Sequence, residues 1–181
     1  QLQSSAASDV YKRQHYDYGI ESQIIAAFVN FEWNLSEKTK LVTGIRGEKV
    51  NYEYETNIEP GTKGRIQVSP NRDDDFTEFS PKLAINHKIN DELAIFANYS
   101  RGNRAPQTTD LYRIQSKQIP GGAKSEKLDS LEIGLRGNFS IFNLELVGFN
   151  MRKENYFFRD SQGFNVENGK TTHRGFEINF L

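Results

Sequence analysis

The chain has no cysteine among its 181 residues, which excludes disulfides and thiolate metal sites. It has no apolar run near the roughly 20 residues that a membrane-spanning helix needs. It has almost no net charge, −1, and so no electrostatic reason to take a nucleic-acid partner. Residues 1–14 show no charged start followed by an apolar stretch, as a signal peptide would. No Ser/His/Asp arrangement marks an activated nucleophile, so the expectation is a protein that is not an enzyme.

What is present favours sheet. Aromatics make up 12%, with eight Tyr and thirteen Phe, residues that suit a pleated surface. In residues 79–104 two runs alternate apolar with polar or small residues, and Asn90-Asp91 joins them. Period-two alternation across so short a connection predicts a β-hairpin. Seven strands are expected, at about 19–34, 40–55, 77–89, 92–103, 126–137, 142–158 and from 169 onward. Their connections alternate: short at Ser36–Thr39, Asn90-Asp91 and Asn138–Ile141, long at 56–76 and 104–124, medium at 159–165. Tight turns at one end and long loops at the other are the habit of outer-membrane barrels. Most strands also reach the roughly 9–11 residues that cross lipid at a tilt. Mean hydropathy of −0.70 with 26% charged residues does not oppose this, because only every second barrel residue faces lipid. The predicted fold is all-β: an antiparallel up-and-down meander of about seven long strands, forming part of the wall of a transmembrane β-barrel.

The faces sort in most strands. Ile25, Ala27, Val29, Phe31 and Trp33 share one phase of the first. Leu131, Ile133 and Leu135 oppose Ser130, Glu132, Gly134 and Arg136, and Phe176, Ile178 and Phe180 oppose Glu177 and Asn179. Charges in a dry core cost several kcal/mol each unless paired, whereas a watery lumen tolerates Arg46, Glu48, Glu132, Arg136 and Glu177. The sixth strand changes phase between Leu144/Leu146 and Val147/Phe149/Met151, which predicts a bulge near Gly148. Trp33, Tyr52, Tyr54, Tyr99 and Tyr156 fall near strand ends, where girdle aromatics belong.

Residues 1–14 fit nothing that follows. Ser4–Gln14 has the character of an adapter-derived stretch and is expected to be foreign to the gene or a flexible arm, with the barrel segment at 15–181. Phe79-Ser80-Pro81-Lys82, the run Asn98-Tyr99-Ser100-Arg101-Gly102-Asn103-Arg104-Ala105-Pro106, Asp110-Leu111-Tyr112, residues 125–135 and the landmarks Asn168-Gly169-Lys170 and Gly175-Phe176-Glu177, in that order, resemble the barrel of TonB-dependent outer-membrane receptors. Asn103 stands where that family usually has an aromatic, and Ser125 where it often has proline. The resemblance implies a plugged 22-stranded barrel in the outer membrane of a Gram-negative bacterium, of which seven strands would be an internal fragment without plug or TonB-contacting box. It implies active import of a scarce nutrient, first among them a ferric siderophore, with outer-membrane lipid and the TonB energy-transducing complex as partners and no cofactor. A passive pore and a soluble carbohydrate-binding sandwich are the alternatives.

Within that reading, ligand-binding candidates are the cationic and aromatic groups at strand tops: Arg101, Arg104, Tyr112, Arg113, Tyr156 and Arg159. Arginine offers a planar donor fork to carboxylates and stacks on flat rings, which suits anionic iron chelates; it also suits outer-leaflet lipid phosphates. Asp73, Asp74, Asp75 and Glu78 offer hard oxygens to calcium, but without EF-hand spacing. His15, His87 and His173 are too dispersed for zinc. Gly61-Thr62-Lys63-Gly64 lacks the spacing of a phosphate loop.

Overall fold

The computed structural model describes residues 16–180; the expectation for residues 1–14, and His15, lie outside them. In chain order the elements are β1 (Tyr18–Asn34), β2 (Thr39–Thr56), β3 (Gly61–Lys63), β4 (Ile66–Val68), β5 (Arg72–Lys88), β6 (Leu93–Arg104), α1 (Thr108–Tyr112), β7 (Ile114–Gln115), β8 (Glu126–Asn138), β9 (Asn143–Arg159) and β10 (Asn165–Phe180). The seven long strands make one antiparallel sheet in the order β1-β2-β5-β6-β8-β9-β10. The predicted meander is therefore present, as an open wall whose two edges are β1 and β10 among the described residues.

The two long connections are not structureless. β3 and β4 form a small hairpin, and β7, from the second connection, joins it. β5 starts at Arg72, earlier than the pattern suggested, because Tyr52, Glu53 and Tyr54 of β2 continue the ladder up to Asp74, Asp73 and Arg72. The β5–β6 connection spans four residues rather than two. Asn90 Oδ1 accepts from the backbone N–H groups of Glu92 (3.0 Å) and Leu93 (2.8 Å), an Asx turn that widens the hairpin. The bulge expected at Gly148 is absent. Pairing runs unbroken from Lys170↔Glu154 to Phe180↔Leu144, and the register shifts lie at Val166/Gly169 and Gly169/Lys170. There Asn155 and Asn168 adopt positive φ (60° and 67°), a conformation asparagine tolerates better than most residues.

Register assigns every side chain to a face. One directly paired row runs Trp33, Leu41, Ile85, Ala97, Ile133, Gly148, Phe176. Around it on the same face lie Phe31, Val29, Ile45, Leu83, Phe79, Ile95, Tyr99, Leu131, Leu135, Leu146 and Ile178, a continuous apolar band. Many of these are bare: Phe176 is 83% exposed, Ile133 60% and Phe79 60%. The opposite face carries Arg46, Glu48, Lys82, Glu132, Arg136, Glu145 and Glu177, with ion pairs Arg46–Glu48 and Arg136–Glu145. On that face Ile24 and Phe28 of β1 and Leu128 of β8 stay exposed.

The phase change in β9 has a packing explanation. Val147, Phe149 and Met151 belong to the charged face. The Phe149 ring lies over its cross-strand partner Gly175, and the Phe96 ring lies over its partner Gly134. An aromatic beside a glycine covers the backbone that glycine leaves bare.

The strands are tilted against the band. Measured from the shared row, β1 ends one residue below Trp33, β5 three below Ile85, and β8 five below Ile133. Each short turn thus steps two residues over two strand spacings. At about 3.3 Å per residue and about 4.8 Å between strands this is a tilt of roughly 35°, within the range of membrane barrels.

Candidate functional site

The long connections fold back over the charged face, which is therefore the inner one. The only sizeable buried cluster among the described residues sits beneath them: Tyr54, Leu111, Tyr112 and Ala123, ringed by Tyr18, Ile20, Tyr52, Phe76 and Phe157. The short helix α1 sets Leu111 and Tyr112 side by side against the wall. Its start is tied by the Asp110 carboxylate, which accepts from the Gln107 N–H (3.3 Å). The Tyr112 ring stacks on Tyr54 (centroids 4.3 Å apart, planes at 11°). Its hydroxyl donates to Asp74 Oδ2 (2.9 Å), and Arg72 clamps the same carboxylate with two bonds of 2.7 and 2.6 Å. Burial, and then the bond to Asp74, push the Tyr112 phenol well above its ordinary pKa. Tyr52 and Tyr54, expected at an aromatic girdle, instead face inward here, because even-numbered residues of β2 point to the inner side.

The loops are fastened to one another. Phe164, at the β9–β10 tip, carries the Arg65 guanidinium 4.9 Å from its ring centre and Lys117 Nζ at 4.1 Å. Each such contact contributes on the order of 0.5–2 kcal/mol. The Gln115 amide donates to Gly163 O (3.3 Å) and accepts from the Asn165 N–H (2.7 Å), while Gln118 donates to Glu167 (3.1 Å). A cleft of about 460 Å³ opens between these loops, lined by Lys117, Ile119, Asp160, Phe164 and Glu167 among others. It offers ammonium, carboxylate and aromatic surface together.

The structure separates the six sequence candidates. Arg104, on the inner face at the loop end of β6, donates to Glu126 Oε1 (2.8 Å), and Lys153 reaches the other oxygen of that carboxylate (3.2 Å). Arg113 is exposed just after α1 and donates to the Tyr18 hydroxyl (3.0 Å). Arg159 is exposed at the end of β9. Tyr156 is half-buried over Gly169, with Lys153 Nζ 5.4 Å from its ring centre. Arg101 does not join them: it lies on the outer face, paired with Asp129 (2.8 and 3.0 Å). Tyr112 offers no surface, being 0% exposed, and pins the loop instead. The acidic run does not converge on a cation, because Asp73 and Asp75 point outward and Asp74 inward, as alternate residues of a strand must. The residues that sequence reasoning missed are Arg65, Lys117 and Phe164; their only advance signal was composition, since loop meetings have no periodicity.

Both departures from the family pattern fall at junctions. β5–β6 pairing stops at Lys82↔Ser100, since Pro81 has no N–H to extend it. Asn103 re-ties that gap, donating to Phe79 O (2.7 Å) and Ser80 Oγ (3.0 Å). Ser125 is buried, and its carbonyl accepts from Asn155 Nδ2 (2.9 Å).

Residues 2–180 match the family model described as TonB dependent receptor-like, beta-barrel. No curated protein matches the sequence. Similar solved structures include the copper transporter OprC (18% identity, TM-score 0.69, covering 89% of this chain and 26% of that one). The ferric-catecholate import receptor Fiu from E. coli K12 is similar at 18% identity and TM-score 0.67, covering 91% and 26%. The FrpB iron transporter from Neisseria meningitidis is similar at 14% identity and TM-score 0.68, covering 99% and 26%. The chain thus spans about a quarter of the length of each of these proteins, and at such identities the likeness is one of fold.

Proposed function

The chain belongs to the TonB-dependent receptor β-barrel family, and from that membership we propose that it forms part of the wall of an outer-membrane receptor that actively imports a scarce nutrient. Proteins of this family reside in the outer membrane of Gram-negative bacteria. The observation that carries the reading is the two-faced wall: a tilted apolar band on one side, and charged residues with folded-back loops on the other. Strands of 12 to 18 residues exceed the roughly 9–11 that cross lipid, so their upper parts stand clear of it and carry the loops outward.

We assign the cargo as an anionic metal chelate, a ferric siderophore first. Copper and ferric-catecholate import by similar proteins support metal cargo. The exposed cations Arg113, Lys117 and Arg159 and the Phe164 ring support an anionic, partly aromatic one, because guanidinium forks pair with carboxylates and stack on rings. Arg104, Tyr156 and the loop cleft complete the candidate surface. Transport is binding followed by gating, and energy comes from the inner-membrane TonB complex through a plug domain.

The test is uptake of radiolabelled ferric siderophore by cells expressing the complete receptor. The reading expects saturable uptake that disappears when the TonB complex is deleted. Uptake indifferent to that deletion, with free passage of small sugars in liposome swelling, would identify a passive pore.

A further inference from the structure

Above the apolar band the outer face changes character between β6 and β10. Arg101, Lys127, Arg152, Lys170 and Arg174 all belong to outward-facing rows there, by register. Only Asp129 and Glu154 share those rows as acids. Glu154 lies between Arg152 (2.6 Å) and Lys170 (3.8 Å) and is the direct cross-strand partner of Lys127. One carboxylate therefore organises three cations, and Arg152 and Lys170 keep more than half of their side-chain surface exposed (59% and 64%). Arg174, the lowest of the group, is bonded to the neutral Asn150 (3.2 Å). Among the described residues the patch holds five cations against two acids, an excess of positive charge.

Directly below Arg174 the outer surface is hollow. Gly148 has no side chain to fill the space between Ile133 and Phe176, its neighbours in the row. The result is a groove of about 610 Å³ that Leu131, Ile133, Phe176 and Arg174 line. A second groove, of about 670 Å³, continues it across Ala97, Leu135, Leu146 and Ile178. Cations at the rim of an apolar groove match one chemistry: a phosphate head with hydrocarbon chains beneath it. Free phosphate makes no use of the groove, and a neutral lipid makes no use of the cations.

We infer that Arg152, Lys170 and Arg174, with the groove over Gly148, form a binding site for a phosphorylated lipid on the outside of the wall. The inference rests on the outer-membrane reading above. The experiment is native mass spectrometry of the complete receptor released from phosphatidylcholine nanodiscs doped with phosphatidic acid or with diacylglycerol, which shares its chains and lacks the phosphate. Retention of phosphatidic acid alone, undiminished by millimolar inorganic phosphate, is the expected result. In the variant R152Q/K170Q/R174Q retention should fall at least about tenfold, since each basic residue at an anionic surface contributes on the order of 1 kcal/mol. Gly148→Leu should lower retention with all charges intact; a Cβ there meets only Ile133 O, at 3.9 Å, so the strand accepts it. Equal retention of the two lipids, full competition by inorganic phosphate, or variants that hold lipid as wild type does would overturn the site. A receptor absent from the outer-membrane fraction would instead overturn the reading beneath it.

Discussion

Tyr112 lies flat against Tyr54 while its hydroxyl donates to Asp74, so one side chain pins the second long loop to the inner wall by both stacking and hydrogen bonding. The phenol's raised pKa gives this pin a pH dependence with a definite sign. A group whose folded pKa lies above its free value contributes full stability below that free value, about 10 for tyrosine, and loses it as pH rises through the raised one. Loop docking should be constant from pH 6 to 9. Tyr112 should resist ionisation in an ultraviolet titration, and Asp74→Asn should bring its titration down. A Tyr112 that ionises with the exposed tyrosines would contradict the pin.

Truncating the same residue tests its packing. Tyr112→Phe keeps the stack and removes one of three hydrogen bonds to the Asp74 carboxylate, which Arg72 still holds, with an expected loss of about 1.5–3 kcal/mol in local stability, the value of a hydrogen bond to a charged group. Tyr112→Ala also opens a cavity and should lose about 3–5 kcal/mol. Hydrogen exchange of residues 105–125 reads both, and the rest of the wall should be unaffected.

Glycines under aromatic rings should be intolerant. A Cβ at Gly134 would run into the Phe96 ring and stand 2.8 Å from Leu146 O, and one at Gly175 would stand 2.7 Å from the Phe149 ring. Gly134→Ala and Gly175→Ala should each destabilise by about 1–3 kcal/mol through overpacking. Gly102→Ala, with nothing within 4 Å, should stay within about 0.5 kcal/mol. Urea unfolding of the complete receptor in detergent micelles, followed by far-ultraviolet circular dichroism, distinguishes them.

Arg104 shares Glu126 with Lys153, so Arg104→Ala leaves that carboxylate paired and the wall intact. If its guanidinium also holds cargo, affinity for ferric siderophore should weaken about tenfold or more, the value of a charge-assisted hydrogen bond of about 1.5–3 kcal/mol. Isothermal titration of the complete receptor measures it, and unchanged affinity removes Arg104 from the site.

Much of the wall was legible because its signal is repetitive. Ile25 through Trp33 and Leu131 through Leu135 state their faces by alternation alone, and the short turns sit where the pattern breaks. What failed to show was non-periodic. Nothing in the run around Gly148 reveals that Phe149 covers a glycine on another strand, so a phase change read as a bulge. Arg101 and Arg104 look alike in sequence, yet three positions apart on a strand they point to opposite faces. The loop cluster of Arg65, Lys117 and Phe164 depends on three distant segments meeting, which no local pattern records.

The chain has no cysteine of its own, so with any cysteine elsewhere in the complete receptor replaced by serine, an introduced thiol is the only one and the central claim becomes directly measurable. Single cysteines placed at positions 130–133, 135 and 136 in the complete receptor, in native outer membranes, can be challenged with a small water-soluble thiol reagent. The account predicts strict alternation: positions 130, 132 and 136 react, and positions 131, 133 and 135 stay protected by lipid until detergent is added. Protection of the even positions, or reactivity without a period of two, would contradict a wall with one side in lipid and the other in water.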